Sequence, residues 1–200
     1  MIDLYEFPPT RSQRAKWVLE ELELAYQSHI IDLPKGQQNS DAYRAINPLG
    51  VVPAIKSENY SLFESVAIVM QLLDEYPEKK LAPEAGSVAR AHYYQWCVFA
   101  GSELDPAIMM VFNNTMRPDV EHDPKLAALG RNDFKIRADV LSGHLGQQDY
   151  MLGAEFSGAD ILIGHSCFMA THIGMIADFP VLEAYYKTLQ TRPAYQRAYA

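Results

Sequence analysis

The residues best suited to chemistry lie in two short stretches, Asn47 to Ile55 and Leu62 to Ser65. In the first stretch Val52 precedes Pro53, and a residue before proline is held extended. If the Val52-Pro53 bond were cis, the amide and carbonyl of Val52 would face outward and could grip another peptide as a strand does. Only about 5–6% of X-Pro bonds in folded proteins are cis, so these residues alone favour the trans bond.

The second stretch places Ser65 in the first turn of a helix. Apolar residues with helical spacing follow it: Val66, Val69, Leu72 and Leu73. Unbonded amides at a helix start attract an anion, and the hydroxyl adds a donor, while Glu64 suits an ammonium group. A carboxylate and an ammonium on one carbon, joined to a peptide, describe the γ-glutamyl end of glutathione. From these two residues alone, a helix cap beside a solvated carboxylate is the more frequent interpretation.

Three motifs together resemble those of the cytosolic glutathione S-transferase family, in a theta/nu-like or related bacterial-type class. They are the run from Asn47 to Ala54, the Glu-Ser pair before a helix, and the Leu4-Tyr5 strand followed by Ser12-Gln13-Arg14 and Leu19-Glu20-Glu21-Leu22. The resemblance covers nearly the whole chain. It implies that Pro53 is cis, that Val52 pairs with the cysteinyl backbone of glutathione, and that Glu64 and Ser65 hold its γ-glutamyl group. Gln38 matches the residue that touches the glycine carboxylate in related classes.

A transferase of this kind must ionise the thiol of glutathione near neutral pH. A thiol with a pKa of about 8.5 is only a few per cent thiolate at pH 7, and each unit of depression requires about 1.4 kcal/mol. One hydroxyl donor at a helix start supplies roughly 1.5–3 kcal/mol through a charge-assisted hydrogen bond. The resemblance therefore directs attention to the hydroxyls around the first helix.

Three hydroxyls are candidates for this donor. Thr10 is the presumed cap of the first helix, because Thr10 to Gln13 has the form of a capping box. Serine-dependent members place the donor about four residues before the arginine matched by Arg14, which favours Thr10, and a slip of one residue favours Ser12. Tyr5, at the end of the first strand, is the candidate if the chain follows the tyrosine-dependent classes. No cysteine lies in this loop, which disfavours the thiol transferases that use one there.

The elements around these residues predict two domains. A strand, a helix and a second strand form a β-α-β unit of the thioredoxin type, and a hairpin and a third helix follow. We therefore expect a thioredoxin-like glutathione-binding domain at 1–76, a linker at 77–86 with two prolines and two lysines, and an all-α domain at 87–200. Pro106 should bend or break the long helix of that domain. Ser157-Gly158-Ala159-Asp160 is a second capping box, and we assign it a role in folding.

The resemblance implies that the all-α domain supplies the pocket for an apolar electrophile and that the protein is a homodimer. Four side chains are candidates to line the pocket: Tyr94, Met109, Phe112 and Met116. Methionine suits an adaptable apolar site, although such a stripe is more often plain core.

Composition narrows the class of protein further. Among 200 residues, 48% are hydrophobic, and 17 basic against 25 acidic residues give a net charge of −8, which argues against nucleic-acid binding. Cys97 and Cys167 lie in apolar helical patterns, so a disulfide framework is not expected. No signal peptide and no apolar run of about 18 residues is visible, and the six histidines show no metal spacing. We expect a cytoplasmic protein without a metal or a membrane anchor.

These observations predict a glutathione transferase that joins the glutathione thiolate to small apolar electrophiles. Two alternatives remain open. One is a glutathione-dependent disulfide reductase or peroxidase, which some bacterial relatives with a similar N-terminus suggest. The other is a binding module that keeps the fold without catalysis.

Overall fold

The computed structural model describes residues 1–146 and 148–200. The backbone divides into two compact units: Met1–Ala82 together with Thr191–Ala200 form the first, and Pro83–Gln190 form the second. The division at residue 83 falls inside the segment predicted as a linker. The assignment of residues 191–200 to the all-α domain is wrong, because these residues form a helix that packs on the first helix of the chain in the first unit.

The first unit contains a four-stranded sheet in the order β2-β1-β3-β4. The strands are β1 (Ile2–Glu6), β2 (Tyr26–Ile30), β3 (Ala54–Lys56) and β4 (Ser61–Phe63). β1 pairs parallel with β2 and antiparallel with β3, and β3 pairs antiparallel with β4. The helices are α1 (Ser12–Leu22), α2 (Asp41–Arg44) and α3 (Ser65–Glu75), with α9 (Pro193–Tyr199) added from the end of the chain. The β-α-β start and the mixed sheet confirm the predicted thioredoxin-like fold.

The two faces of this sheet are covered differently because successive strand residues point to opposite sides. Leu4 is fully buried in the main core, on the side where α1 and α3 pack against the strands. Tyr5 lies on the other side, against a smaller cluster formed by Ile31, Tyr43 and Val52. Val52 therefore packs with Tyr43 of α2 in this smaller cluster and not in the main core.

The second unit consists of helices and loops in its described residues, apart from one isolated bridge between Tyr150 and Gly153. Its helices are α4 (Val88–Phe99), α5 (Asp105–Thr115), α6 (Pro124–Leu145), α7 (Gly158–His172) and α8 (Pro180–Gln190). The interruption predicted at Pro106 takes the form of a π-helical segment, Ala100–Leu104, between α4 and α5. The wider turn lies just before the proline, where the missing N–H would leave a gap in the hydrogen-bond ladder.

The predicted capping box at the start of α7 is confirmed. Asp160 is fully buried and accepts hydrogen bonds from the amides of Met151 at 2.7 Å and Ser157 at 2.8 Å. The Ser157 hydroxyl donates to the same carboxylate at 3.0 Å, and the Tyr185 hydroxyl does so at 2.8 Å. Asp160 thus joins α7, α8 and the preceding loop within the second unit. In the described part of the chain, no helix has both the length and the apolarity to cross a bilayer.

Candidate active site

Strand pairing brings the two candidate stretches to one edge of the sheet. Tyr5 near the end of β1 lies opposite Ala54 at the start of β3, and Ala54 lies opposite Phe63 at the end of β4. The loop after β1, the Val52-Pro53 step before β3 and the Glu64-Ser65 step after β4 therefore all leave the sheet at the same edge. The hydroxyl candidates Thr10 and Ser12 belong to the first of these connections.

The Val52-Pro53 bond is cis, as is the Pro8-Pro9 bond in the loop after β1. The preceding carbonyl, that of Val51, accepts hydrogen bonds from Asn47 Nδ2 at 2.6 Å and from the Tyr43 hydroxyl at 2.7 Å. None of the backbone hydrogen bonds found among residues 1–146 and 148–200 engages the amide or carbonyl of Val52. The hydrogen bonds to the Val51 carbonyl thus fix the loop. The amide and carbonyl of Val52 remain able to bond to a ligand.

Gly50 joins this loop to the segment that carries Gln38. Gly50 has φ of +63°, and a Cβ at this position would lie 2.9 Å from the Gln38 carbonyl oxygen and 3.2 Å from Arg44 Nη2. Gln38 lies in a short 3-10 helix, Gln37–Asn39. Its side-chain oxygen is buried and has no hydrogen-bond partner among the described residues. The structure thus places Gln38 beside the loop that presents Val52.

Ser65 is the first residue of α3 and not its cap. Glu64 occupies the cap position with φ of 72° and makes no side-chain cap hydrogen bond. The first bond of the helix joins the Ile68 amide to the Glu64 carbonyl, so the amides of Ser65, Val66 and Ala67 lie outside the ladder. The Ser65 side chain is buried while Glu64 is exposed. This arrangement can receive an anion at the helix start and a cation beside it.

Arg14 supports Ser65 from α1. The guanidinium is fully buried, and its Nη1 donates a hydrogen bond to Ser65 Oγ at 3.3 Å. Since a guanidinium only donates, the serine oxygen accepts and its own hydrogen is directed to another acceptor. The sequence did not predict this contact of Arg14 with Ser65. The signal that could have found it is its place four residues before Val18, on the buried face of α1.

The hydroxyls of Thr10 and Ser12 form a small network at the start of α1. They lie 2.9 Å apart, and the Ser12 amide donates to Thr10 Oγ1 at 3.2 Å. Ser12 is fully buried, and its Oγ accepts from the Phe7 amide at 3.2 Å and contacts the Phe7 carbonyl at 3.4 Å. Ser12 therefore closes the loop after β1, while Thr10 is partly exposed.

The predicted capping box at Thr10 is wrong. The cap position belongs to Arg11, which has helical backbone angles and no side-chain cap bond. The Gln13 amide binds the backbone carbonyl of Thr10 at 3.1 Å and not its hydroxyl. A Ser/Thr side chain can bond an amide two residues on in a turn outside any capping box, and Thr10 does so.

Tyr5 lies in a different environment from the other two hydroxyl candidates. Its ring stacks on His29 with centroids 4.9 Å apart and lies 5.9 Å from the ring of Tyr43. Burial, with a smaller effect from Asp3, raises the pKa of Tyr5. The side chain belongs to the packing between the sheet and α2.

Comparison with known proteins decides the family. Residues 4–80 match the family model described as the N-terminal domain of glutathione S-transferase. Over 181 residues the chain is 30% identical to glutathione S-transferase Z2 of Arabidopsis thaliana, covering 88% of this chain and 79% of that protein. The chain belongs to the glutathione S-transferase family.

Solved transferase structures share the whole fold. A glutathione transferase from Methylococcus capsulatus is 25% identical with a TM-score of 0.88, over 100% of this chain and 97% of that one. A family member from Pseudomonas fluorescens, crystallised with two glutathione molecules, is 25% identical with a TM-score of 0.87, over 99% of this chain and 92% of the other. The predicted enzyme class, glutathione transferase, is confirmed at this level.

The residues predicted to line the electrophile pocket of the transferase lie on α4 and around α5. Met109 and Phe112 are half-buried and lie three residues apart on α5, so they share one face of that helix. Met116 follows α5 and is 52% exposed, and Tyr94 on α4 is 40% exposed. The Arg90 guanidinium lies 4.9 Å from the centre of the Tyr94 ring, which orients that ring within the second unit.

The cysteines of the transferase are unsuited to thiol chemistry. Neither Cys97 nor Cys167 forms a disulfide, and both are buried. Burial raises the pKa of Cys167 to about 12. A thiol with that pKa stays protonated near neutral pH. Within the described ranges, no three His, Cys, Asp or Glu side chains gather in a group that could hold a metal ion.

Proposed function

We propose that this transferase joins the thiolate of glutathione to small apolar electrophiles, with glutathione as co-substrate and no metal. The observation that supports the proposal most strongly is the shared edge of the sheet. The peptide groups of Val52 bond to no backbone group among the described residues. The Val52-Pro53 step, the start of α3 at Ser65 and the loop that carries Thr10 and Ser12 all leave the sheet at this edge.

Glutathione would lie along this edge in an extended form. The backbone of its cysteinyl residue pairs with the amide and carbonyl of Val52. The γ-glutamyl carboxylate accepts from Ser65 Oγ and the first amides of α3, and its ammonium faces Glu64. Its glycine end extends toward Gln38. The glutathione bound in the Pseudomonas family member supports glutathione as the ligand of this chain.

The hydroxyl of Thr10 is the preferred donor to the glutathione sulfur. Ser12 Oγ already serves the loop through Phe7, and Tyr5 packs between His29 and Tyr43. A hydrogen bond from Thr10 stabilises the thiolate, and the thiol proton passes to solvent. The sulfur lone pair then forms a bond to the electrophilic carbon, and the leaving group departs with its bonding electrons. The protein contributes positioning and stabilisation of the sulfur anion.

The two units would divide the work. Glutathione binds to residues 1–76, and residues 77–86 are the linker to the helical domain. That domain, residues 87–190, contributes the side chains that bind the electrophile: Tyr94, Met109, Phe112 and Met116. The enzyme acts as a homodimer in the cytoplasm, as the family resemblance suggests.

Calorimetry with glutathione and turnover of a chloronitroarene test the proposal. Ser65→Ala should raise the glutathione dissociation constant about ten- to a hundredfold, because a hydrogen bond to a charged group contributes about 1.5–3 kcal/mol. Ser61→Ala, at an exposed position of β4, is the matched control and should bind like the wild type.

Unchanged binding by Ser65→Ala would contradict the assigned site. A wild-type protein that binds no glutathione would contradict the function itself. Reduction of a disulfide by glutathione, with no turnover of the chloronitroarene, would favour the reductase alternative. Binding without either reaction would favour a non-catalytic module.

A further inference from the structure

The last helix, α9, packs against α1 within the first unit. Arg192 makes a bidentate pair with Glu21, with Nε to Oε1 and Nη2 to Oε2 both at 2.7 Å. Arg197 Nε donates to Glu20 Oε2 at 2.6 Å, and its Nη2 donates to the Glu20 carbonyl at 3.1 Å. We call residues 192–199 the C-terminal strap.

An aromatic contact lies beside these ion pairs. The fully buried Trp17 meets Tyr195 edge to face, with ring centroids 5.0 Å apart, and Tyr195 stacks on Tyr199 at 4.1 Å. Trp17 Nε1 also donates to Glu21 Oε1 at 2.9 Å. One carboxylate of α1 thus receives both the strap arginine and the indole of its own helix.

The strap contacts the same helix that carries the site residues. Trp17 lies three residues after Arg14, which donates to Ser65 Oγ. Glu21 lies nine residues after Ser12, about 14 Å along a helix that rises 1.5 Å per residue. Because Ser12, Arg14, Trp17 and Glu21 belong to one uninterrupted helix, we expect a shift or rotation at Trp17 and Glu21 to displace Arg14 and Ser12, and with Ser12 the Thr10 hydroxyl bonded to it.

We propose that the C-terminal strap positions α1 for catalysis and that Arg192 is a positioning residue of the transferase. In its kinetic consequence this inference rests on the proposed function. Without Arg192, Glu21 loses its bidentate bond to the strap, and α1 shifts so that Thr10 is misplaced from the sulfur and Arg14 from Ser65. The thiol then ionises less readily and glutathione binds more weakly.

The geometry of this pair distinguishes it from an ordinary surface ion pair. The Glu21 side chain is only 8% exposed and that of Arg192 26%, and a bidentate pair fixes direction as well as distance. The pair between Lys187 and Glu183 on α8 is instead 68% and 44% exposed, and such pairs contribute little. Lys187→Ala is therefore a matched control for loss of one cation from an ion pair.

Two measurements on the full chain test the strap in Arg192→Ala, Arg192→Lys and Lys187→Ala. The first is the pH profile of kcat/KM. Arg192→Ala should lose at least about tenfold near pH 6.5 and much less near pH 9, since a misplacement of about 1 Å by a distant mutation can cost up to a hundredfold. Arg192→Lys should lie between this variant and the wild type, and Lys187→Ala should match the wild type.

The second measurement is hydrogen exchange of the amides in residues 10–17. It should be faster in Arg192→Ala than in Lys187→Ala, and it requires no glutathione. If Arg192→Ala is less stable but keeps the wild-type pH profile and the wild-type exchange of these amides, the strap is structural only and the inference is overturned. If the wild type binds no glutathione, the proposed function fails. Unchanged hydrogen exchange in Arg192→Ala would, independently of that result, overturn the positioning role of the strap.

Discussion

Arg14 Nη1 donates to Ser65 Oγ at 3.3 Å across 51 positions of sequence, and both side chains are buried. The bond joins the starts of α1 and α3. Its direction matters because an arginine cannot accept a hydrogen bond. The hydrogen of the Ser65 hydroxyl is therefore available for a bond to a ligand. The positive charge of Arg14 also lies next to Ser65, where we propose that the γ-glutamyl carboxylate binds.

Replacing Arg14 tests this relationship. Arg14→Lys keeps the charge but loses the planar fork, and we expect the glutathione dissociation constant to rise about tenfold, as for loss of a hydrogen bond of about 1.5 kcal/mol. Calorimetry measures the constant. Arg11→Lys, at the exposed neighbour, should bind as the wild type does, and equal affinities for both variants would disprove the role of Arg14.

The donor to the sulfur can be identified from pH profiles. Thr10→Val should raise the apparent thiol pKa by about one to two units, since one unit corresponds to about 1.4 kcal/mol. Its kcat/KM should fall about ten- to a hundredfold near pH 6.5 and recover at high pH. Ser12→Ala should mainly reduce stability, and Tyr5→Phe should leave the profile unchanged. If Ser12→Ala or Tyr5→Phe shifts the pH profile of kcat/KM and Thr10→Val does not, the residue replaced in the shifted variant is the donor.

Gly50 should tolerate no side chain. Gly50→Ala forces a positive φ on alanine, at about 1–2 kcal/mol, and places its Cβ 2.9 Å from a backbone oxygen of Gln38. We expect a lower Tm and weaker glutathione binding. Gly143→Ala is the control, because this exposed helical glycine has open space around its Cβ, and alanine should stabilise there by about 0.5–1 kcal/mol. Equal melting temperatures for the two variants would contradict the account of the loop.

The buried carboxylate of Asp160 should matter for stability and not for glutathione affinity. Asp160→Ala leaves the donors of Met151, Ser157 and Tyr185 without their acceptor, and each such buried group costs about 1–3 kcal/mol. Ser157→Ala should cost about 0.5–2 kcal/mol as a lost cap. Urea unfolding measures both, and calorimetry on the folded fraction should show unaltered glutathione binding. If Ser157→Ala binds glutathione more weakly than the wild type, the capping box does not act in folding alone.

Tyr43 should make the loop sensitive to alkali. Burial raises the pKa of Tyr43 from 10.0 to about 12, and its neutral hydroxyl donates to the Val51 carbonyl. The stabilisation is fully present below the unfolded pKa and is lost as the pH rises through the folded value. At neutral pH, Tyr43→Phe should be less stable by about 1 kcal/mol. The difference from wild type in urea unfolding should shrink between pH 10 and 12, and a constant difference would contradict the assignment.

Local patterns predicted much of the fold and supplied the candidates for the site. Alternation in β1, the periodic apolar face of α1 and the Ser157-Asp160 box all depend on residues within one or two turns of each other, and the structure has them as predicted. The box at Thr10 shows the limit of such patterns. Thr10 and Gln13 have the right spacing, but the helical backbone of Arg11 leaves the Thr10 hydroxyl to bond Ser12 instead.

Adjacent residues were enough to predict the thioredoxin-like class, the capping of α7 and the two candidate stretches around Val52 and Ser65, because short-range geometry and motif order depend on neighbouring residues. The partners of distant residues are evident only in the packed fold, where Arg14 donates to Ser65, Asn47 and Tyr43 hold the Val51 carbonyl, and Arg192 pairs with Glu21. Pairs so far apart in the chain form only after the sheet and helices have packed, and no local spacing encodes which buried donor will meet which acceptor.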